Sequence, residues 1–134
     1  MISCGGALAD GAAVPPTAHL VTLSTHRRRF VLRGDGHDIV SEALMLLPHR
    51  HPGLAVDCAL VLPDRLFAIV RLPNASALTP LVQAYKASTT RTLKMRIAID
   101  RVWEKGFEHR EIRDEAELIA VRAMLRTYDQ RQAR

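Results

Sequence analysis

Residues 60–73, which read LVLPDRLFAIVRLP, contain the clearest structural signal in the chain. Two apolar stretches, residues 54–62 and 66–72, flank the dipeptide of Pro63 and Asp64. Apolar runs bounded by turn residues predict strands, and proline and aspartate are common in tight turns. The sequence therefore predicts a β-hairpin whose turn lies at Pro63 and Asp64.

Further strands and a helix are predicted before this hairpin. Residues 19–24 and 29–32 are rich in Val, Leu, Thr and Phe, which predicts two strands around a basic turn at residues 26–29. Asp38 can cap a first helix, because its side chain can accept a backbone N–H of the first turn. Pro48 is predicted to stop that helix.

Two more helices are predicted after the hairpin. Thr79 followed by Pro80 marks the start of the second helix, in which Tyr85 is predicted to fill the core. Asp114 with Glu117 three residues later is typical of a capping box and starts the last helix. This order of elements predicts an α+β fold, a ferredoxin-like antiparallel sheet with helices packed on one face.

Size and charge indicate one basic domain. The chain has 134 residues, enough to bury a core, and a formal net charge of +5. A positive charge suits a polyanionic partner. Aromatic residues make up 4% of the chain, which argues against an extended platform for base stacking.

The chain is predicted to divide into a disordered tail over residues 1–18, a domain over residues 19–129 and a polar tail over residues 130–134. No apolar run approaches the roughly 20 residues of a membrane-spanning helix, so no membrane contact is expected. Cys4 and Cys58 lack the spacing of metal ligands. We interpret both as reduced thiols of a cytoplasmic protein.

Three segments share the motifs of one protein family. Residues 60–73 resemble the pattern V-V-M/L-P-D/N-H-hydrophobic-H followed by an apolar strand, except that other residues stand at its two histidine positions. Residues 81–91 match a helix with a K-S/A-x-T-x-R core, and residues 102–118 match a W-x-x-x-F-x-D/H-x-x-I-R-D-E-x-E-L block. Over about residues 19–128 the chain thus resembles the REP-associated, insertion-sequence-200-like single-tyrosine HUH transposases. The resemblance implies the same α+β fold and a role in DNA transposition.

The family's catalytic positions hold different residues in this chain. Aligned on the Pro-Asp turn, the two metal-binding histidines fall on Arg65 and Phe67, and the nucleophilic tyrosine falls on Met124. In the family, the histidines hold magnesium or manganese at a phosphodiester, and the tyrosine forms a covalent phosphotyrosine. Guanidinium and phenyl groups give no lone pair to a metal, and methionine has no hydroxyl. We therefore expect no cofactor and no cleavage.

Strand geometry predicts where these positions lie. Side chains at i and i+2 share a face of a strand, so Arg65 and Phe67 should point together at the helix that contains Met124.

Eight basic residues are candidates for DNA contacts. They lie at the turn after the first strand and along the second helix: Arg27, Arg28, Arg29, Arg33, Lys86, Arg91, Lys94 and Arg96. Neutralisation of phosphates by Lys and Arg dominates DNA binding. The resemblance implies hairpin or single-stranded DNA as the partner, and a homodimer is compatible with this hypothesis.

Two alternative functions stay open. Tyr128 lies one turn after Met124 and is a substitute nucleophile if the protein still nicks and joins single-stranded DNA, with His109 as a non-family ligand. The other alternative is a protein-interaction module without a nucleic-acid role. His49 and His51 have the H-x-H spacing, but we interpret them as part of a solvated loop.

Overall fold

Five strands and three α-helices make up the part of the chain that the computed structural model describes, residues 2–4 and 17–132. The strands are β1 (Ile2–Cys4), β2 (Thr17–Ser24), β3 (Ala55–Leu62), β4 (Arg65–Leu72) and β5 (Glu108–Ile112). The helices are α1 (Asp35–Arg50), α2 (Leu78–Ile97) and α3 (Glu115–Gln132), with short 3₁₀ turns at His26–Arg28 and Ala75–Ala77. Neighbouring strands pair antiparallel in the order β1-β3-β4-β2-β5. The predicted α+β class with an antiparallel sheet is confirmed. None of the helices within these residues is both long and apolar enough to cross a membrane.

The predicted hairpin forms the centre of the sheet. β3 and β4 pair from Ala55 with Arg71 to Leu62 with Arg65, around the Pro63 and Asp64 turn. β4 is the middle strand, and six of its eight residues are buried. A strand that is covered on both faces needs apolar side chains in both directions, which explains its almost continuous apolar sequence.

The helices cover both faces of the sheet. α1 and α2 pack over one face, whereas α3 packs over the other. Along α3, the side chains of Leu118, Val121 and Leu125 form the buried stripe. They pack in one cluster with Leu60 and Ile69 of the central hairpin. The prediction that the helices share one face therefore holds for α1 and α2 and is wrong for α3.

α3 begins with the predicted capping arrangement. Asp114 Oδ1 accepts a hydrogen bond from the N–H of Glu117 at 2.8 Å. Glu117 Oε2 accepts one from the N–H of Arg113 at 3.3 Å. This reciprocal pairing satisfies N–H groups that a helix start leaves without backbone partners.

The strand predicted over residues 29–32 is instead a loop. The φ angle is +56° at Arg27 and +55° at Arg28, and this left-handed conformation turns the chain away from β2. Leu32 is buried, and its N–H donates to the carbonyl of Pro63 at 3.0 Å. The apolar residue that suggested a strand thus anchors the loop to the hairpin turn.

α1 differs from its prediction at both ends. It begins at Asp35, three residues before the predicted cap Asp38, and it continues through Pro48 to Arg50. Pro48 lies in the last turn, where the N–H it lacks costs a single hydrogen bond. The helix therefore ends two residues after Pro48 instead of at it.

Parts of both predicted tails form regular structure. β1 lies within residues 1–18 and pairs with β3, and β2 begins at Thr17. Residues 5–16, most of the predicted disordered tail, lie outside the described residues. The polar segment over residues 130–134 begins as the end of α3, which extends to Gln132.

The prediction of reduced thiols is wrong for Cys58, which is disulfide-bonded. Cys4, the other cysteine of the chain, is its register partner across β1 and β3. Strand pairing brings together two positions that are far apart in the sequence, so spacing alone did not indicate the bond.

Candidate nucleic-acid interface

The positions that correspond to the family's metal-binding histidines lie together on the α3 face of β4. Arg65 and Phe67 are two residues apart on this central strand, so their side chains share a face. Phe67 belongs to the core cluster beneath α3, and Met124 and Tyr128 pack against the same cluster. The predicted geometry, with these side chains facing the helix of Met124, is confirmed.

Two aromatic rings and a guanidinium group pack against each other at this position. The rings of Phe67 and Tyr128 are stacked, with centroids 5.6 Å apart and planes inclined by 22°. The guanidinium carbon of Arg65 lies 5.5 Å from the Phe67 centroid and 5.9 Å from the Tyr128 centroid, within cation–π range. The two family positions, Arg65 and Phe67, offer no lone pair, so they do not fit a divalent metal.

His19 and His109 pair on the other face of the sheet. Their ring centroids are 6.1 Å apart, and His19 lies opposite Val70 in the β2–β4 ladder, far along β4 from Arg65. His19 is only 3% exposed, and burial lowers its pKa, an effect that Glu111 opposes and His109 reinforces. Within the described part of the chain, no three His, Cys, Asp or Glu side chains are arranged to hold a metal.

An ion pair fixes α3 on the sheet. Nε of Arg122 donates to Oδ1 of Asp57 at 2.8 Å, and its Nη2 donates to Oδ2 at 2.6 Å. Nε of Arg71 lies 3.5 Å from the same carboxylate, whose side chain is 10% exposed. A carboxylate in an apolar strand is costly to bury unless it is paired, so Asp57 was a signal in the sequence that an arginine should lie nearby.

Hydrogen bonds hold the basic turn, residues 26–29, in a defined shape. Thr25 is fully buried, and its N–H donates to the carbonyl of Asp64 at 3.0 Å. Its hydroxyl donates to the carbonyl of Arg29 at 2.7 Å. From the other side, Oε1 of Glu104 accepts the N–H of Arg27 at 2.8 Å, and this bond lowers the pKa of Glu104. The turn is thus attached both to the hairpin and to the segment that precedes β5.

Two arginines of the turn also make contacts within the protein. Nε and Nη2 of Arg28 each lie 3.0 Å from Oδ2 of Asp64. Nη2 of Arg29 donates to the carbonyl of Arg101 at 3.2 Å. Part of the charge predicted for DNA contacts therefore also stabilises the loop.

Lys86 has a similar internal role on α2. Its ammonium donates to the carbonyl of Glu104 at 2.9 Å and to the carbonyl of Gly106. Burial lowers the pKa of Lys86. We therefore assign this residue to holding the loop before β5.

The other five candidate DNA contacts are exposed. Within the described part of the chain, none of these five residues forms an ion pair. They are Arg27, Arg33, Arg91, Lys94 and Arg96. Arg33 lies over the ring of Phe30, with its guanidinium carbon 5.7 Å from the centroid. Of the eight candidates, these five cations are therefore the ones best placed to contact a polyanion.

An open cleft of about 880 Å³ lies between the basic turn and the end of α2. Residues 26–31 contribute to one wall, and residues 97–101 form the other. Phe30 lines the cleft and is 62% exposed. Phe30 was predicted to lie in a strand, and Arg101 was not among the predicted DNA contacts, although an aromatic ring in a positively charged groove is typical of single-strand nucleic-acid sites.

The aromatic residues of the other two motif segments are structural. The hydroxyl of Tyr85 donates to the carbonyl of Val40 at 2.7 Å, and burial raises its pKa. Nε1 of Trp103 donates to Oγ1 of Thr89 at 3.0 Å. The predicted core position of Tyr85 is confirmed, and Trp103 fastens the segment before β5 to α2.

Comparison with solved structures places this fold among transposases. No protein-family model matches the sequence, and no curated protein matches it at a significant level. A Deinococcus radiodurans R1 protein assigned as a transposase matches with a TM-score of 0.65 and 18% identity, over 94% of this chain and 97% of its own.

A second solved structure has the same fold. A REP-associated tyrosine transposase bound to a REP hairpin matches with a TM-score of 0.58 and 14% identity, over 89% of this chain and 68% of its own. The transposase-like fold that the motifs predicted is therefore confirmed. At these identities the likeness concerns the fold.

Proposed function

We propose that this protein binds hairpin or single-stranded DNA as a transposase-like protein and does not cleave it. One observation carries the proposal: Arg65 and Phe67 face α3 at the positions of the family's metal ligands, and they pack with Tyr128. Cleavage of the family's type needs lone pairs for a metal and a tyrosine hydroxyl that can attack. Arg65, Phe67 and Met124 supply none of these groups.

The distribution of positive charge supports DNA as the partner. Exposed cations lie at both sites that the resemblance indicated, with Arg27 and Arg33 near the basic turn and Arg91, Lys94 and Arg96 on α2. Each phosphate that such a cation neutralises releases a condensed counterion, so binding of this type weakens with salt. The structural match that is bound to a REP hairpin makes a hairpin the natural first ligand to test.

The shape of the basic turn also supports binding. Thr25 and Glu104 fix its backbone before any ligand arrives. A preorganised loop loses less conformational freedom on binding, so more of its contact energy contributes to affinity.

The alternative of an active enzyme is favoured by one observation. Tyr128 lies on the same face as the family's catalytic positions and next to the permanent cation of Arg65, which could hold a phosphate. Two observations argue against an active enzyme. The Tyr128 ring is stacked on Phe67. His109, the metal ligand that this alternative needs, lies opposite Val21 on the other face of the sheet.

A covalent-adduct assay with a binding assay distinguishes the two functions. The protein is incubated with labelled single-stranded hairpin DNA and magnesium or manganese, and adducts are sought on a denaturing gel. We expect binding by fluorescence anisotropy and no adduct. An adduct that disappears in Tyr128→Phe, which keeps the stacked ring, would support the enzyme instead. A lack of binding at low salt would favour the protein-interaction module.

A further inference from the structure

Phe30 presents an exposed aromatic ring beside several cations. It is 62% exposed although it lines the cleft between residues 26–31 and 97–101. The guanidinium of Arg33 lies over the ring, 5.7 Å from the centroid, which holds the ring by a cation–π contact. A ring that is held from one side can accept a flat partner on its other face.

The side chains that line the cleft carry a net positive charge. Arg27, Arg29 and Arg101 contribute three positive charges and Asp100 one negative charge. Glu104, whose Oε1 lies 3.0 Å from Nδ1 of the cleft residue His26, adds a second negative charge, so one positive charge remains. Arg29 is held by its hydrogen bond to the carbonyl of Arg101. Within the described residues, Arg27 and Arg101 form no ion pair, although the charge of Arg27 contributes to the lowered pKa of Glu104. Both guanidinium groups are exposed and can contact an anion.

The backbone of this wall is held in an uncommon conformation. Arg27 and Arg28 both have φ near +55°, and residues other than glycine seldom adopt this region twice in succession. Such strain persists where the surroundings determine the conformation, here through the buried Thr25 and the carboxylate of Glu104. Strained loops of this kind cluster at binding sites.

We infer that the cleft binds one unpaired nucleotide of a DNA strand. The base stacks on Phe30, and its phosphate lies beside Arg27 and Arg101. This inference rests on the proposed function. It adds the place where the DNA binds, a surface separate from Arg65 and Phe67, and it adds that the bound nucleotide is unpaired.

An unpaired nucleotide fits these groups better than other anions do. In a duplex each base is already stacked between its neighbours, so its face cannot reach a ring in a protein cleft. An acidic peptide supplies negative charge but no flat base. A nucleotide supplies both a phosphate and a ring face, which is the combination that Phe30 and Arg101 can meet.

Asp100 adds a base preference. A carboxylate in the cleft can accept a hydrogen bond from the amino group of cytosine, which thymine lacks. The cleft should therefore bind cytosine in preference to thymine, and Asp100→Ala should remove that preference.

Anisotropy titrations with three labelled probes test this inference: a short oligo-dC, an oligo-dT of equal length and a blunt-ended duplex without unpaired nucleotides. Phe30→Ala should weaken binding of oligo-dC about tenfold, as expected for one lost base stack, and leave binding of the duplex unchanged. Phe30→Tyr should keep the affinity. Ile119→Ala on α3 is the matched control, because it removes an exposed apolar side chain far from the cleft in sequence and on another element.

The outcomes separate the subsite from the proposed function. The subsite is supported if Phe30→Ala weakens the binding of oligo-dC tenfold and does not weaken the binding of the duplex. The role of Asp100 is supported if the wild-type protein prefers oligo-dC to oligo-dT and Asp100→Ala removes this preference. Equal losses for all three probes, or none for oligo-dC, overturn the subsite while the DNA-binding function stands. If no probe binds at low salt, both proposals fail.

Discussion

Replacing both Arg65 and Phe67 by histidine should create a metal-dependent stability that the wild-type protein lacks. The two side chains share the α3 face of β4, so two imidazoles at these positions would project together. Neutral imidazoles supply the lone pairs that guanidinium and phenyl groups do not. A metal response would show that the backbone at residues 65 and 67 still suits a metal site and that only the side chains prevent metal binding.

The structure sets the size of the two opposing effects. Phe67 is 7% exposed and stacked on Tyr128. Truncation of such a phenylalanine to alanine costs roughly 3–5 kcal/mol, and histidine keeps part of the ring, so the double variant should lose about 2–3 kcal/mol. A metal at about 100 times its Kd returns about 2.7 kcal/mol through binding to the folded state. The metal should therefore move the unfolding midpoint most of the way back.

Urea unfolding, followed by the fluorescence of Trp103, measures both effects. The midpoint of Arg65→His/Phe67→His should rise with added zinc or manganese and fall again with a chelator. Each single variant has one imidazole at the site and should respond little, and the wild type should not respond. A double variant that is folded by circular dichroism, yet has the same midpoint with and without metal, would refute the assigned strand geometry.

Three further predictions concern the rest of the molecule. Asp57→Ala should lower the free energy of unfolding by about 2 kcal/mol, because it leaves the partly buried guanidinium of Arg122 without its carboxylate. A double-mutant cycle with Arg122→Ala should show coupling between the two residues, and additive losses would contradict the ion pair. The folded protein holds the pKa of His19 below 6.5, so the unfolded chain binds more protons in that range. Stability should be full above about pH 6.5 and decrease as the pH falls below it, and His19→Leu should remove this decrease in urea titrations at pH 8 and pH 5. Replacing Arg27 and Arg33 by alanine should flatten the dependence of log K on log salt for single-stranded DNA by about 1.4, at roughly 0.7 for each lost contact, and an unchanged slope would exclude both residues as phosphate contacts.

The sequence alone determined the features that depend on neighbours along the chain. The hairpin around Pro63 and Asp64 follows from apolar runs and turn chemistry, and the cap of Asp114 with Glu117 follows from spacing. The common face of Arg65 and Phe67 follows from the two-residue period of a strand. The resemblance in three short motifs was sufficient to predict a transposase-like fold.

Only the tertiary structure decided how these elements combine. The sequence does not state which face of the sheet α3 covers, because β3 and β4 are apolar in both directions. The consecutive arginines at residues 27–29 cannot be distinguished in the sequence. In the structure, however, Arg28 pairs with Asp64, whereas Arg27 lines a cleft together with the distant Arg101. Long-range partners decide whether a charge stabilises the fold or faces solvent, and a local pattern contains no information about partners that are distant along the chain.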